Sequence, residues 1–194
     1  MSVAEEDRDR AQVYGVLGAL FMQAPSRALL DTLVPVEGDP SALLVQAWND
    51  LAQAAREDEC LWREEYEALF VGVGKPDVLL CGSYYLAGAL HERPLAELRS
   101  DLARMGFERD PKATETEDHL AALCNAMHQL ILRDDPMQQT LYVRHIAPWV
   151  PLLCDAIDVH PRVRCYRYVS ALLRVFIDIE SQAWSIEESR SMTL

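Results

Sequence analysis

Apolar residues recur at helical spacing along this chain, and nowhere do they alternate with the period of two that a half-buried strand requires. Val13, Val16, Leu17, Leu20 and Phe21 fall at i, i+3, i+4, i+7 and i+8, behind Glu5, Glu6 and Asp7, where a helix dipole favours acids. Ser26 is placed to cap a short helix through Leu30 and Leu33. After the loop 35–40, Asp39 and Pro40 read as N-cap and first residue of a helix through Leu43, Leu44, Ala47, Trp48 and Leu51. Leu95, Leu98, Leu102 and Met105 follow Pro94 and stop at Gly106. Leu120, Leu123, Cys124, Met127, Leu130 and Ile131 make the strongest amphipathic stripe, and Leu141, Val143 and Ile146 a short helix before Pro148. A last helix is expected from Arg162 to about Trp184, with 185–194 fraying behind it. The expectation is an all-α bundle of roughly eight to ten helices, one domain over 1–184.

One stretch departs from this rhythm. From Tyr66 to Leu86 the sequence reads YEALFVGVGKPDVLLCGSYYL. Tyr66, Leu69 and Phe70 stack on the last turn of a helix whose other faces are acidic. Gly72 and Gly74 supply the backbone freedom that ends it, and Pro76 keeps it from resuming. Val78, Leu79, Leu80 and Cys81 form a short apolar run, and Ser83 is a candidate N-cap for a helical turn from Tyr84 to Leu90. An apolar, structured loop between two helices either fills a core or lines a surface that something else covers.

Composition narrows the function classes. The chain has 194 residues, half of them hydrophobic, and a net charge of −13. That charge disfavours nucleic acid, which needs a basic face, and favours a cationic partner. The five cysteines, Cys60, Cys81, Cys124, Cys154 and Cys165, form no C-x-x-C pair, so reduced thiols are expected rather than zinc or a disulfide framework. No positively charged start precedes an apolar segment, and no apolar run approaches the roughly 20 residues of a membrane span. G-x-S-x-G, H-E-x-x-H, the P-loop and G-x-G-x-x-G are all missing. No two of His119, His128, His145 and His160 stand at i, i+4, so no metal or other cofactor is expected.

Thr114 to Leu120, TETEDHL, has the spacing of a capping box between Thr114 and Glu117. On a helix opening there, His119 shares a stripe with Leu123, Ala126 and Leu130. Asp118, rotated by about 100°, then stands nearer solvent or a groove rim. It either complements the helix dipole or accepts charge-assisted hydrogen bonds from a guanidinium.

Tyr66, Leu69, Phe70, Gly72, Gly82, Ser83, Tyr85 and Leu86 together resemble the central loop of the TorD/DmsD/NarJ family of redox-enzyme maturation chaperones. Leu79, Leu80 and Cys81 stand where family members often carry Pro-Pro-Trp. Glu117, Asp118, His119 and Leu120 are similar to the family's (Glu/Asp)-Asp-His-Leu motif, which is linked to leader-peptide recognition. His145-Ile-Ala-Pro148-Trp149 and His160-Pro161 are similar to later family segments, with packing the expected role of their side chains. The resemblance runs from about Tyr66 to Trp184. It implies the all-α fold of the TorD/DmsD type and a cytoplasmic chaperone, not an enzyme. The implied partner is the catalytic subunit of a molybdenum oxidoreductase, gripped through its twin-arginine leader or N-terminal segment during cofactor insertion and export proofreading. The implied peptide-binding residues are Tyr66, Phe70, Leu79, Leu80, Cys81, Gly82, Ser83, Tyr85, Glu117, Asp118 and His119. Monomer and homodimer both remain open. The competing classes are a metal- or nucleotide-dependent enzyme on a helical scaffold and a plain oligomeric scaffold.

Overall fold

The apolar periodicity becomes helix throughout a computed structural model that describes residues 4–72, 74–89 and 93–191. The elements are α1 (Glu5–Met22), α2 (Arg27–Thr32), α3 (Leu43–Ala54), α4 (Glu59–Tyr66), α5 (Gly82–Ala87), α6 (Arg93–Arg104), α7 (Leu120–Leu132), α8 (Met137–Leu141), α9 (Val150–Asp158) and α10 (Tyr166–Ser191). Single π-helical turns extend α4 over Glu67–Val71 and α8 over Tyr142–Ile146. Among the described residues the sole extended pairing outside helices is one antiparallel bridge, Cys81 to His119. No described helix is long and apolar enough to cross a membrane.

The chain forms two compact units, each assembled from two separate stretches. The first takes the chain up to Gln23 together with Leu79–Val150. Its axis is α7, where Leu120, Leu123, Cys124, Met127, Leu130 and Ile131 are all buried as the stripe requires. α1 lies along α7 and buries Tyr14, Leu17, Leu20 and Phe21. The His128 ring bridges the two helices by donating from Nδ1 to the Ala11 carbonyl, 2.7 Å away.

The second unit takes Ala24–Val78 and the chain from Pro151 onward. Here α3 and α4 pack against α10. Trp62, Tyr66, Phe70 and Tyr166 interlock edge-on, with ring centroids 4.9–6.0 Å apart, spacings at which aromatic pairs are favourable beyond area burial alone. Gly72, at φ 63, closes the π-helical turn, and Val78 donates its amide to the Leu69 carbonyl at 2.8 Å.

Two helix starts in the second unit differ from the sequence expectation, and each has a polar cause. Asp39 does not cap α3: its carboxylate binds the Ser41 amide and hydroxyl in a tight turn, and α3 begins at Leu43. The last helix begins at Tyr166 rather than Arg162. The buried Glu65 carboxylate accepts from the amides of Arg164, Cys165 and Tyr166 at 2.8–2.9 Å, which fixes the first turn there. At its other end α10 continues past Trp184 to Ser191. α5 ends at Ala87 behind Gly88; Leu90 lies outside the described residues. Ser26, by contrast, caps α2 through the Leu29 amide as its position implies.

Glu65 satisfies three donors that have no helical partner of their own, and orphaning a buried donor costs about 1–3 kcal/mol each. Glu65→Ala is therefore expected to lower unfolding stability by at least about 3 kcal/mol, read as a fall in the urea midpoint. Glu65→Gln, with one acceptor oxygen left, should fall between that variant and the parent.

Candidate functional site

In the first unit the loop 79–82 pairs with the residues that open α7. Gly82 donates to the Asp118 carbonyl at 3.0 Å, and Leu120 to the Leu80 carbonyl at 2.8 Å. The pairing holds His119 in extended backbone, φ −65 and ψ 134, so α7 begins at Leu120 and not at Thr114. His119 is the N-cap: its Nδ1 accepts from the Ala121 amide at 3.2 Å.

Asp118 departs from expectation. It is 4% exposed. Oδ2 accepts from the Ser83 amide at 2.8 Å and Oδ1 from the Thr116 hydroxyl at 2.5 Å. Its carboxylate caps α5 from outside, the task the sequence reading gave to Ser83. The reason is the bridge, which turns the Asp118 side chain toward the α5 amides instead of toward solvent. The Ser83 hydroxyl, 1% exposed, is left without a protein partner. It borders a small cavity of about 220 Å³ that His145, Arg144 and Trp149 also line.

The segment His145–Trp149 completes this knot. Gly82 lies flat on Trp149, where an added Cβ would stand 2.8 Å from Nε1, so no larger residue fits. Trp149 Nε1 donates to the His145 carbonyl at 2.7 Å, and its ring stacks on Tyr85 with centroids 5.5 Å apart. The Tyr85 hydroxyl donates to the Leu79 carbonyl at 2.9 Å. His145 Nε2 donates to the buried Asp101 at 2.7 Å, and Arg104 and Arg144 share the same carboxylate. Burial and the adjacent Arg144 pull the His145 imidazole down to about 4. Glu97 pulls the other way without reversing the shift, so the ring is neutral and donates its Nε2 proton to Asp101.

Beside this knot a crevice of about 310 Å³ opens under the connection from α6 to α7. Leu102, Phe107, Ala122 and Ala126 give it apolar walls, and His119, Glu117 and the charged and hydroxyl side chains of 108–116 line the rest. His119 spends Nδ1 on the α7 amide, so its ring proton sits on Nε2, which has no protein partner among the described residues. Burial pulls this imidazole below the usual histidine range, with Glu115 and Asp118 opposing. The Glu117 carboxylate receives a side-on guanidinium: Arg99 Nε at 3.0 Å and Nη2 at 2.9 Å, with Arg109 Nη1 3.6 Å away. Burial raises the Glu117 carboxyl, but the Arg99 hydrogen bonds and both arginine charges outweigh it and hold the group below the usual carboxylate range.

The residues singled out in the sequence thus divide. Leu80, Cys81, Gly82 and Ser83 are buried in the knot, and Leu79 and Tyr85 are half-buried around it. Cys81 contacts the Thr116 hydroxyl at 3.6 Å. Tyr66 and Phe70 belong to the aromatic cluster of the second unit. Only His119 and Glu117 of the motif line the crevice. Arg99, Arg109 and Asp101 were missed; isolated charged residues on a helix or in a loop carry no spacing signal. Burial raises the buried thiols to about 11 at Cys81 and Cys154 and about 12 at Cys124 and Cys165, which leaves them protonated.

The family model described as nitrate reductase delta subunit matches residues 38–155. The chain is 24% identical over 200 residues to the chaperone protein TorD of Vibrio parahaemolyticus serotype O3:K6 (strain RIMD 2210633), covering 89% of this chain and 93% of that one. A solved structure described as a redox enzyme maturation protein, from Archaeoglobus fulgidus, is similar with a TM-score of 0.59 at 14% identity. That match covers 89% of this chain and 93% of the other, and the likeness is one of fold.

Two outcomes follow from the knot. Asp118→Asn replaces an acceptor of two hydrogen bonds by an amide that can serve only one of them well. Its stability should fall by about 1–3 kcal/mol, read from the thermal midpoint. His145 titrates at about 4 when folded, against its ordinary 6.5. The neutral ring's contribution is whole above pH 6.5. It is lost as pH falls from there to about 4, because in that window only the unfolded chain takes the proton. His145→Gln should flatten the slope of stability against pH between those values; an unchanged slope would contradict the assignment.

Proposed function

Because this chain belongs to the nitrate reductase delta subunit family, the TorD/DmsD/NarJ chaperones of redox-enzyme maturation, we propose that it binds the N-terminal leader of a molybdenum oxidoreductase catalytic subunit in the crevice between α6 and α7. Family membership supports a chaperone rather than an enzyme. The finer reading is ours: the chain holds the leader in the cytoplasm until the cofactor is inserted, and so delays export.

One observation carries the reading. The crevice has an apolar wall from α6 and α7 and, on its polar side, a carboxylate that already accepts a guanidinium side-on. A leader has a cationic start and an apolar, helix-forming stretch, and the two parts match polar side and wall. A volume of about 310 Å³ admits a few side chains, not a whole helix. The crevice is therefore an anchor for the arginine-bearing end, with the apolar stretch laid along the neighbouring surface. His119 lines this space, and its Nε2 proton suits a backbone carbonyl of the peptide. The net charge of −13 attracts a cationic leader from a distance. Asp118 and the loop 79–83 act indirectly, by fixing where His119 and Glu117 stand.

Ala122 lines the crevice from α7 and takes part in no side-chain hydrogen bond. Ala122→Phe should fill the space and weaken leader binding at least tenfold in calorimetry, about 1.4 kcal/mol, with the helical circular dichroism unchanged. Equal affinity in parent and variant would remove the crevice from the binding site.

A further inference from the structure

Glu117 is already occupied from within. Arg99, on α6, grips both oxygens in the parallel two-bond geometry by which guanidinium groups recognise carboxylates, a geometry lysine cannot make. Arg109 brings a second guanidinium to Oε2 from the connection between α6 and α7. Its Nη2 also donates to the carbonyls of Ala113 and Glu115 at 3.3 and 3.4 Å, so one side chain ties this connection both to itself and to Glu117. Glu117 is mostly buried, with a side chain 15% exposed, whereas Arg99 and Arg109 are 46% and 41% exposed. The acceptor is fixed and the donors lie at the surface, the arrangement in which one guanidinium is readily replaced by another. Arg99 and Arg109 both reach solvent, so either can leave the carboxylate and be hydrated rather than buried unpaired.

We infer that Glu117 selects arginine over lysine in the bound peptide, and that Arg99 and Arg109 hold its place until the peptide's arginines displace them. This rests on the peptide-binding reading above and adds to it the recognition step and the internal competitor. Before binding, the carboxylate is neutralised and the strap 107–116 is tied down over the crevice. An incoming arginine takes the two-bond position and Arg99 swings to solvent. Arg109 loses its carboxylate partner, and the strap loosens. An ammonium group forms one point contact and cannot match the fork it would replace.

Calorimetry with two synthetic peptides tests this, one with Arg-Arg ahead of an alanine–leucine helix and one with Lys-Lys in its place. The parent should prefer Arg-Arg by about tenfold. Glu117→Gln should bind the two peptides alike. Arg99→Lys keeps the net charge but gives up the fork, so its affinity for the Arg-Arg peptide should rise severalfold. Hydrogen exchange of the amides of 108–116 should quicken when the Arg-Arg peptide is added. Binding of Arg-Arg that Glu117→Gln leaves fully selective, or an Arg99→Lys affinity no higher than the parent's, overturns the inference while the peptide-binding reading stands. Failure of both peptides to bind the parent overturns both.

Discussion

The buried carboxylate of Asp118 is the interaction on which the first unit depends. One hydrogen bond to its carboxylate, from the Ser83 amide and worth about 1.5–3 kcal/mol when sheltered, joins the start of α5 to the segment ahead of α7, and a second, from the Thr116 hydroxyl, orients the carboxylate for it. The backbone bridge between Cys81 and His119 lies immediately beside them. Without the carboxylate the buried Ser83 amide would be orphaned. With it, His119 is left in extended conformation at the head of α7, Gly82 is laid against Trp149, and the crevice gains its polar edge. The geometry of the candidate site is a by-product of capping a six-residue helix from a distance.

The same device recurs. Glu65 gathers the amides at the head of α10, and Asp101 gathers His145, Arg104 and Arg144. Each is an acid almost removed from water, and each is supplied with enough donors to keep its charge tolerable. They join segments far apart in sequence, where apolar packing alone would permit sliding. Glu117 differs in its own depth: its side chain is 15% exposed against 2% for Asp101, and it borders the crevice, so it is the carboxylate an incoming group can reach.

The fold was legible because apolar spacing is a strong signal: the stripe Leu120–Ile131 is buried along its whole length, and Ser26 caps where its side chain says it should. The motif residues were legible as a group through their resemblance to a family. Their roles were not. Gly82, Ser83, Asp118, His145 and Trp149 stand up to 67 positions apart in the chain yet meet in one knot, and most of them hold that knot together rather than face a ligand. Local rules placed Asp118 near solvent because they assumed α7 began at Thr114. The long-range pairing with residues 80–82 overrode the capping box. Glu65, Arg99 and Asp101 had no local signature, since what matters is the donor each meets many residues away.

The interleaved composition of the two units bears on how the chain is made. A ribosome delivers α1 first, but the helix against which α1 buries Tyr14, Leu17 and Phe21 is α7, which follows about a hundred residues later. At the roughly 5–20 residues per second of synthesis, α1 waits several seconds with its apolar face uncovered. α3 and α4 wait longer still, for α10 at the far end. Neither unit can close before most of the other has been translated, so folding is largely post-translational. A protein that would shelter another chain's unfinished state thus passes through a long unfinished state of its own.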